Sequence, residues 1–270
     1  MSSQYIDKKN IHIPKIGLGT YKMTGNEGQQ AIQNALEVGY RHIDTAKMYE
    51  NEKEVGQAIK SSSVDRNNIF ITTKIWPTDF DLVVQKTEDS LRQLKTDHVD
   101  LLLLHWPSTN EMNDRASDSL NEVLHKQYSK AVGVSNFNIH QVGEALNRAP
   151  IVCNQVEYHP YLSQEKLLTF LYENDLFLTA YRPLMMGKIM DDAQLLSLAK
   201  EHDKTVSQIV LRWMMQQKDI AVIPKSSNSE RQIENLNVFD FELTNDEMQL
   251  IHQLNCGERT TDPEMAPQWD

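Results

Sequence analysis

Four polar residues that can share or transfer a proton stand at or just past the ends of predicted β-strands: Asp44, Tyr49, Lys74 and His105. In a barrel of alternating strands and helices, the active site lies at the carboxyl ends of the strands. Polar side chains at those ends are therefore candidates for chemistry rather than for stability.

The four residue types together suit the reduction of a carbonyl group. An unperturbed tyrosine has a pKa of about 10 and donates its proton poorly unless its phenolate is stabilised. Lys74 can supply the positive charge for Tyr49, and Asp44 can keep Lys74 charged and oriented despite burial. His105 can hold the carbonyl oxygen by a hydrogen bond. Such a site protonates a developing alkoxide while a hydride reaches the carbon.

Each residue taken singly also has a structural explanation. A Lys-Asp pair at a barrel rim is often a structural ion pair, His105 alone can be a satisfied core histidine, and Tyr49 alone can be a packing residue. Only the combination at consecutive strand ends favours catalysis. A different alternative is a barrel isomerase or lyase with Lys74 as a Schiff-base nucleophile, which requires an exposed, deprotonated lysine.

Short β-branched or leucine-rich segments alternate with segments of helical period almost to the C-terminus. The predicted strands are residues 16–20, 42–46, 69–75, 99–106, 131–136, 151–158, 176–183 and 220–225. The apolar run 101–104 is typical of a parallel strand covered on both faces. We predict a (β/α)8 TIM barrel formed by a single domain, residues 1–270. The alternative, an open doubly wound sheet, lacks its usual glycine motif, because Gly17 and Gly19 are not followed by the third glycine.

Local signals mark the ends of several elements. Polar residues between two short apolar runs in residues 5–13 predict a β-hairpin at the barrel floor. Capping-box spacing predicts three helix starts, at Thr205 with Gln208, Ser229 with Gln232 and Thr244 with Glu247.

Composition excludes some classes of protein. A net charge of -11 argues against nucleic acid or an anionic membrane as the main partner. Two cysteines, Cys153 and Cys256, predict neither a disulfide framework nor a metal cluster. The first ten residues lack the apolar core of a signal peptide, and no apolar stretch is long enough to span a bilayer. We expect a soluble cytoplasmic protein without a metal, and a monomer, since no long exposed apolar surface is evident.

Several motifs occur in an order that resembles the aldo-keto reductase superfamily. They are GLGTY (17–21), the segment 42–52, TTKIW (72–76), LLHWP (103–107), GVSNF (133–137), NQVEYHP (154–160) and IPKS (223–226). The resemblance runs from the N-terminal hairpin to the last residue. Short loops and the ending PEMAPQWD resemble most the small bacterial 2,5-diketo-D-gluconate reductases, which also reduce methylglyoxal.

The resemblance implies an NADPH-dependent reductase of small aldehydes and ketones, with Tyr49 as proton donor and no metal. It implies that Ser135, Asn136 and Gln155 hold the nicotinamide carboxamide and that Tyr181 stacks on the ring. Further implied cofactor residues are Thr20, Arg182, Pro183, Leu184, Lys225, Ser226, Arg231, Glu234 and Asn235, of which Lys225, Ser226 and Arg231 take the 2′-phosphate and Glu234 and Asn235 the adenine. The implied substrate pocket is lined by Tyr21, Trp76, His105 and Trp106.

Two departures from the family pattern concern the cofactor. Arg182 stands where serine is usual, so it either strengthens phosphate binding or points to solvent. Met185 and Met186 replace residues of a loop that often closes over the cofactor. A cofactor-binding barrel without turnover is the alternative function, although the intact set of four polar residues speaks against it. The C-terminal residues 256–270 are expected to shape the pocket, and His159 to help form the turn at Pro160.

Overall fold

The computed structural model describes residues 4–270, and its strands form two sheets. The strands are β1 Tyr5–Lys8, β2 Ile11–Pro14, β3 Leu18–Gly19, β4 His42–Asp44, β5 Phe70–Ile75, β6 Val99–Leu104, β7 Ser129–Ser135, β8 Cys153–Glu157, β9 Phe177–Tyr181 and β10 Ile220–Val222. Strands β3 to β10 lie side by side in chain order, and all neighbours are parallel.

Backbone hydrogen bonds between the first and last strands close this sheet into a barrel. Val222 N–H donates to the Lys15 oxygen at 2.7 Å, and Gly17 N–H donates to the Val222 oxygen at 2.8 Å. A third hydrogen bond, from the Gly19 N–H to the Pro224 carbonyl, extends this contact along the two strands. The predicted (β/α)8 barrel is therefore confirmed, and the open doubly wound sheet is excluded.

In the described residues 4–270, ten α-helices follow or connect the strands. They are α1 Gly25–Val38, α2 Glu52–Ser61, α3 Val83–Leu94, α4 Asn110–His125, α5 Ile139–Arg148, α6 Glu165–Glu173, α7 Ala193–Glu201, α8 Val206–Gln216, α9 Ser229–Leu236 and α10 Asn245–His252. Within residues 4–270 none of them has the length and apolar character needed to cross a bilayer.

The antiparallel hairpin of β1 and β2 closes one end of the barrel. Its Ile6, Ile11 and Ile13 pack in one buried cluster with Phe70 and Phe177, the first residues of β5 and β9. Because the strands begin at this end, the hairpin lies at the barrel floor as predicted. The opposite end is left for polar residues.

Two of the three predicted capping boxes are confirmed, at Thr205 with Gln208 and at Thr244 with Glu247. The prediction at Ser229 is wrong. Asn228 caps α9 by accepting from the Arg231 N–H, because the chain is already helical at Ser229. Arg231 nevertheless lies in the first turn, where unpaired N–H groups and the helix dipole favour an anion.

Two helix glycines provide a matched test of how closely the helices pack. A Cβ at Gly56 of α2 would lie 2.5 Å from the Leu94 oxygen, whereas a Cβ at Gly143 of α5 would meet only the Phe170 ring at 3.7 Å. We expect Gly56→Ala to lower the free energy of unfolding by about 2 kcal/mol, since backbone must move apart. Gly143→Ala should raise it by about 0.5–1 kcal/mol through helix propensity alone. Urea unfolding of both variants measures the difference, and equal effects would contradict the packing argument.

Candidate active site

The four polar residues meet at the carboxyl end of the barrel. Asp44 ends β4, and Tyr49 ends a single 3-10 turn, Lys47–Tyr49, that follows it. Lys74 is the penultimate residue of β5, and His105 directly follows β6. Adjacent parallel strands thus bring together residues that are far apart in the chain.

Lys74 and Asp44 form a buried ion pair. The Lys74 Nζ donates to Asp44 Oδ1 at 2.5 Å and to the Thr45 carbonyl oxygen at 2.7 Å. The second Asp44 oxygen accepts from the Gln155 amide at 2.8 Å. Burial lowers the pKa of Lys74 below its usual 10.5, and the Asp44 carboxylate counteracts that change. The ammonium is held in one place by two acceptors, and the carboxylate by two donors.

Tyr49 lies between this ion pair and His105. The Lys74 Nζ is 5.1 Å from the centroid of the Tyr49 ring, and the Tyr49 and His105 rings meet edge to face at 5.6 Å. The His105 Nδ1 is buried and has no hydrogen-bond partner among residues 4–270. A phenol, an ammonium and an imidazole with a free buried nitrogen therefore surround one small space.

The protonation states follow from burial. Desolvation lowers the pKa of His105 well below its usual 6.5, and the nearby Lys74 charge adds to this, so the imidazole is neutral at neutral pH. Although Tyr49 is partly exposed, desolvation of its phenol raises its pKa well above 10. The Asp44 charge adds to that rise, which differs from the expectation that Lys74 favours the phenolate. Tyr49 therefore holds its proton at neutral pH.

A hydrogen-bonded network continues from Asp44 along β7 and β8. The Ser135 hydroxyl donates to the Gln155 carbonyl at 2.8 Å, and the Asn136 amide donates to the His105 carbonyl at 3.0 Å. The Tyr181 hydroxyl donates to the Asn136 side chain at 2.8 Å. The structure thus brings together the four residues implied to hold a nicotinamide, and Gln155 joins them to the ion pair.

Aromatic residues surround the space above this network. The ring centroids of Trp76 and His105 are 5.1 Å apart, and so are those of Tyr21 and Tyr49. Trp106 is buried, whereas Tyr21 is 45% exposed. Tyr21, Trp76 and His105 therefore lie around Tyr49, and Trp106 follows His105 in the chain.

A second polar region lies after β10. Lys225 and Arg231 are exposed, and neither has an ion-pair partner in the described part of the chain. Ser226 and Asn235 are buried beside them. The donor set, two free cations, a hydroxyl and a helix N-terminus, fits a phosphate. The Glu234 carboxylate accepts from Thr205 at 2.8 Å, so in this structure it is directed to α8.

The remaining implied cofactor residues have structural contacts of their own. The Thr20 hydroxyl is fully buried and donates to the Asp44 carbonyl at 3.0 Å. Pro183 and Leu184 follow β9 in a segment where Met185 and Met186 have positive φ angles of 46° and 54°. A loop with such angles is held by its surroundings rather than by its own backbone preference.

Arg182 does not point to solvent in this structure, and its contact with a cofactor phosphate stays a prediction. Its Nη1 donates to the Thr260 carbonyl at 2.8 Å and to the Thr260 hydroxyl at 3.0 Å. Arg182 is therefore an anchor for the C-terminal segment, residues 256–270.

The buried carboxylate of Glu157 is the other anchor of the C-terminal segment, and sequence reasoning missed it. It accepts from the Thr260 and Thr261 N–H groups, each at 2.9 Å, and from the Thr260 hydroxyl. His159 lies 3.2 Å away, and the His159 carbonyl also accepts from Leu162 in the expected turn. A glutamate at the end of a buried strand was the available signal, since a buried carboxylate needs partners.

The C-terminal segment is also fixed at its far end. The Asp270 carboxylate accepts from the backbone N–H of Ile139, the first residue of α5, at 3.0 Å. The Gln268 carbonyl accepts from the Asn138 side-chain amide. The Trp269 and Trp106 rings pack edge to face, with their centroids 6.3 Å apart. The segment therefore crosses the mouth of the site and adds Trp269 to the aromatic wall.

Within residues 4–270 no cluster of three or more potential ligands is arranged to hold a metal ion.

Acid should weaken the attachment of the C-terminal segment at Glu157. Burial alone would raise the pKa of Glu157, but hydrogen bonds from His159 and Thr260 outweigh it and hold the pKa at about 2. The ionised carboxylate thus stabilises the fold above about pH 4.5, and its contribution, at most about 3 kcal/mol, is lost as the pH falls toward 2. Over that interval urea unfolding should show a steeper loss of stability in wild type than in Glu157→Gln. The exposed control Glu173→Gln should follow wild type, and parallel curves for wild type and Glu157→Gln would contradict the prediction.

Comparison with known proteins places this site in a family. Residues 15–256 match the model of the aldo/keto reductase family. The chain is 40% identical to glyoxal reductase of Bacillus subtilis (strain 168) over 92% of this chain and 91% of that protein. It is 35% identical to methylglyoxal reductase DkgB of Escherichia coli O157:H7 over 96% of this chain and 99% of that protein.

A solved structure gives the same result for the fold. The crystal structure of a putative 2,5-diketo-D-gluconic acid reductase B superposes with a TM-score of 0.96 at 40% identity, over 100% of this chain and 98% of that chain. Barrel, hairpin and C-terminal segment are thus shared over the full length. The chain belongs to the aldo/keto reductase family, whose members generally reduce carbonyl groups with a nicotinamide cofactor.

Proposed function

We propose that this protein is an NADPH-dependent reductase of small aldehydes and ketones, of the kind that includes methylglyoxal and 2,5-diketo-D-gluconate. The observation that carries the proposal is the convergence of a protonated Tyr49, a neutral His105 and the buried Lys74–Asp44 pair on one space at the strand ends. Reductases of glyoxal and methylglyoxal among the relatives support the substrate class.

The proposed chemistry divides between the cofactor and the chain. NADPH, when bound, supplies the hydride that forms the new C–H bond. His105 holds the carbonyl oxygen by a hydrogen bond, and Tyr49 transfers its phenolic proton to that oxygen as negative charge develops there. The product is an alcohol, and Tyr49 regains its proton from solvent.

Lys74 acts on this step through charge rather than by lowering the resting pKa of Tyr49. The phenol is protonated before the reaction, as a donor must be, and becomes anionic only as the proton leaves. An ammonium 5.1 Å from the ring centroid stabilises that anion, and the effect is large because the site is shielded from water. Asp44 keeps the ammonium charged and aimed.

We propose that the network along β7 and β8 orients the nicotinamide. Ser135, Asn136 and Gln155 present hydroxyl and amide groups that suit a carboxamide, and Tyr181 presents a ring for stacking. In this structure the Asn136 oxygen accepts from the Tyr181 hydroxyl, and the Asn136 amide nitrogen donates to the His105 carbonyl and to the Ser135 hydroxyl, so a bound carboxamide would have to replace some of these hydrogen bonds. Fixing the ring against Tyr181 would align the reacting atoms.

We propose further that Lys225, Ser226 and Arg231 bind the 2′-phosphate, and that Asn235 and Glu234 lie near the adenine. Two unpaired cations beside the start of α9 support this in a chain of net charge -11. A surface of net negative charge repels anions in general, so a bound phosphate needs local cations such as these two. This arrangement would favour NADPH over NADH.

The aromatic wall and the protein's setting complete the proposal. Tyr21, Trp76 and Trp106 with a small polar oxygen site suit short carbonyl compounds. We propose that residues 1–270 act as one domain and as a monomer in the cytoplasm, where the two free cysteines stay reduced.

Two alternatives are weaker. A Schiff-base role for Lys74 needs an exposed and deprotonated amine, yet Lys74 is fully buried and donates to Asp44 and Thr45. A cofactor-binding protein without turnover has no physical need to place a cation beside the phenol of Tyr49. Each of these two alternatives predicts a result that differs from that of the proposed reductase in the first test below.

The first test replaces the proton donor. Tyr49→Phe removes one oxygen and keeps the ring contacts with His105 and Tyr21, so NADPH should bind as before while turnover of methylglyoxal falls at least about a hundredfold. Loss of NADPH absorbance measures turnover, and fluorescence titration measures binding. Wild type that binds NADPH but reduces no aldehyde in a broad panel would support the non-catalytic alternative, and an active Tyr49→Phe would remove the donor role.

The second test concerns the phosphate. Arg231→Gln should weaken NADPH binding about tenfold or more, because a charge-assisted hydrogen bond is lost, while NADH binding changes little. The matched control is Arg92→Gln, an exposed arginine in the last turn of α3 whose loss also changes the charge by one. Fluorescence titrations with NADPH and with NADH measure the two dissociation constants for each variant. Equal weakening for NADPH and NADH would show that Arg231 does not contact the 2′-phosphate.

A further inference from the structure

A cavity on the outer side of the barrel lies between α4 and α5. Its volume is about 280 Å³, which is room for several water molecules or one small organic molecule. None of the residues that line it belongs to the proposed active site. Its walls include the polar Asp114, Ser117, His140 and Glu144 and the apolar Phe137 and Ala145.

The hydroxyl of Ser117 is a buried polar group that lacks a partner. Ser117 is only 2% exposed, lines the cavity and has no hydrogen bond within residues 4–270. Ser119 on the same helix instead donates its hydroxyl to the Arg115 carbonyl, one turn earlier, at 2.9 Å. Leaving a buried hydroxyl unsatisfied costs free energy, which a polar group entering the cavity would recover.

Two carboxylates, one from each helix, have oxygens to spare. Asp114 of α4 accepts from the Arg148 guanidinium at 2.6 Å through Oδ2, and its Oδ1 forms no hydrogen bond in the described part of the chain. Glu144 of α5 is exposed and has neither an ion pair nor a hydrogen bond with any described residue. The His140 imidazole, also without a hydrogen bond there, adds an acceptor when it is neutral. The free groups of the cavity are therefore mainly acceptors, and they carry negative charge.

We propose that the cavity between α4 and α5 binds a small organic cation, a molecule with a primary ammonium group on a short apolar body. The three N–H donors of the ammonium match Ser117, Asp114 and Glu144, and the apolar body lies against Phe137 and Ala145. Binding there needs neither NADPH nor a carbonyl compound, so this inference does not depend on the proposed function.

The chemistry of the cavity selects an ammonium among possible ligands. The two carboxylates repel an anion, as does the net charge of -11. A metal ion does not fit, because residues 4–270 hold no set of three or more side chains arranged as its ligands. A quaternary ammonium lacks the N–H donors that the Ser117 hydroxyl and the carboxylate oxygens would accept from.

A groove filled only with water makes a different prediction. Water would then satisfy the Ser117 hydroxyl, and organic cations would be drawn to this face only by the overall negative charge. Such attraction is screened by salt and does not depend on any single hydroxyl. A charged ligand and its neutral analogue, tested on single-residue variants, therefore distinguish a binding site from a hydrated groove.

The experiment titrates the full chain with 4-fluorobenzylamine and with 4-fluorobenzyl alcohol at pH 7 and about 0.15 M salt, and follows the fluorine NMR relaxation of each ligand. The amine should bind with a dissociation constant of about 1 mM or less, and the alcohol at least about tenfold more weakly. Ser117→Ala should weaken amine binding about threefold, and Glu144→Gln about fivefold. The control Glu173→Gln, an exposed glutamate of α6 with the same change of charge, should equal wild type.

Several results would overturn the site. Equal dissociation constants for amine and alcohol, or no binding in the millimolar range, would exclude a cation site. An amine that binds both variants as it binds wild type lies elsewhere, and weakening in Glu144→Gln alone would indicate a surface ion pair outside the cavity. Circular dichroism melting curves check that each variant folds. Should Ser117→Ala fail to fold, Ser117→Cys takes its place, because it keeps the size of the side chain but accepts hydrogen bonds weakly.

Discussion

The buried ion pair of Lys74 and Asp44 is the constraint around which this end of the barrel is built. Removing two charges from water costs several kcal/mol per ion unless every lone pair and proton finds a partner. Here β4 supplies the carboxylate, Thr45 directly after β4 supplies a carbonyl, β5 supplies the ammonium, and β8 supplies the Gln155 amide. The strands must keep their register for these bonds to exist. The ammonium held by this pair lies beside the Tyr49 ring.

The same principle fixes the mouth of the site. Glu157 is a buried carboxylate at the end of β8, and its partners come from the C-terminal segment rather than from a neighbouring strand. Arg182 adds a second attachment at Thr260, and Asp270 adds a third at the start of α5. These hydrogen bonds attach a segment without regular secondary structure to the barrel at three places. Its aromatic side chains can therefore contribute to recognition.

Charge is distributed unevenly between the surface and the site. The chain as a whole is acidic, yet Lys225 and Arg231 lie exposed on the segment that follows β10 and at the start of α9. Neither forms an ion pair with a carboxylate in the described residues. An overall negative charge repels anions in general, so local unpaired cations select where an anionic cofactor can bind.

The amino-acid sequence by itself determined the eight strands, the floor hairpin and the four polar residues at the strand ends. These features depend on local periodicity and short motifs, which act over a few residues. Capping showed the limit of such signals: Thr205 and Thr244 begin helices as predicted, but Asn228 replaces Ser229, since both residue types can cap. Only the tertiary structure decided which long-range partners the buried charges take. Gln155 meets Asp44 across 111 residues, and Thr260 meets Glu157 across 103, because closure of the barrel brings distant strand ends and the C-terminal segment into contact.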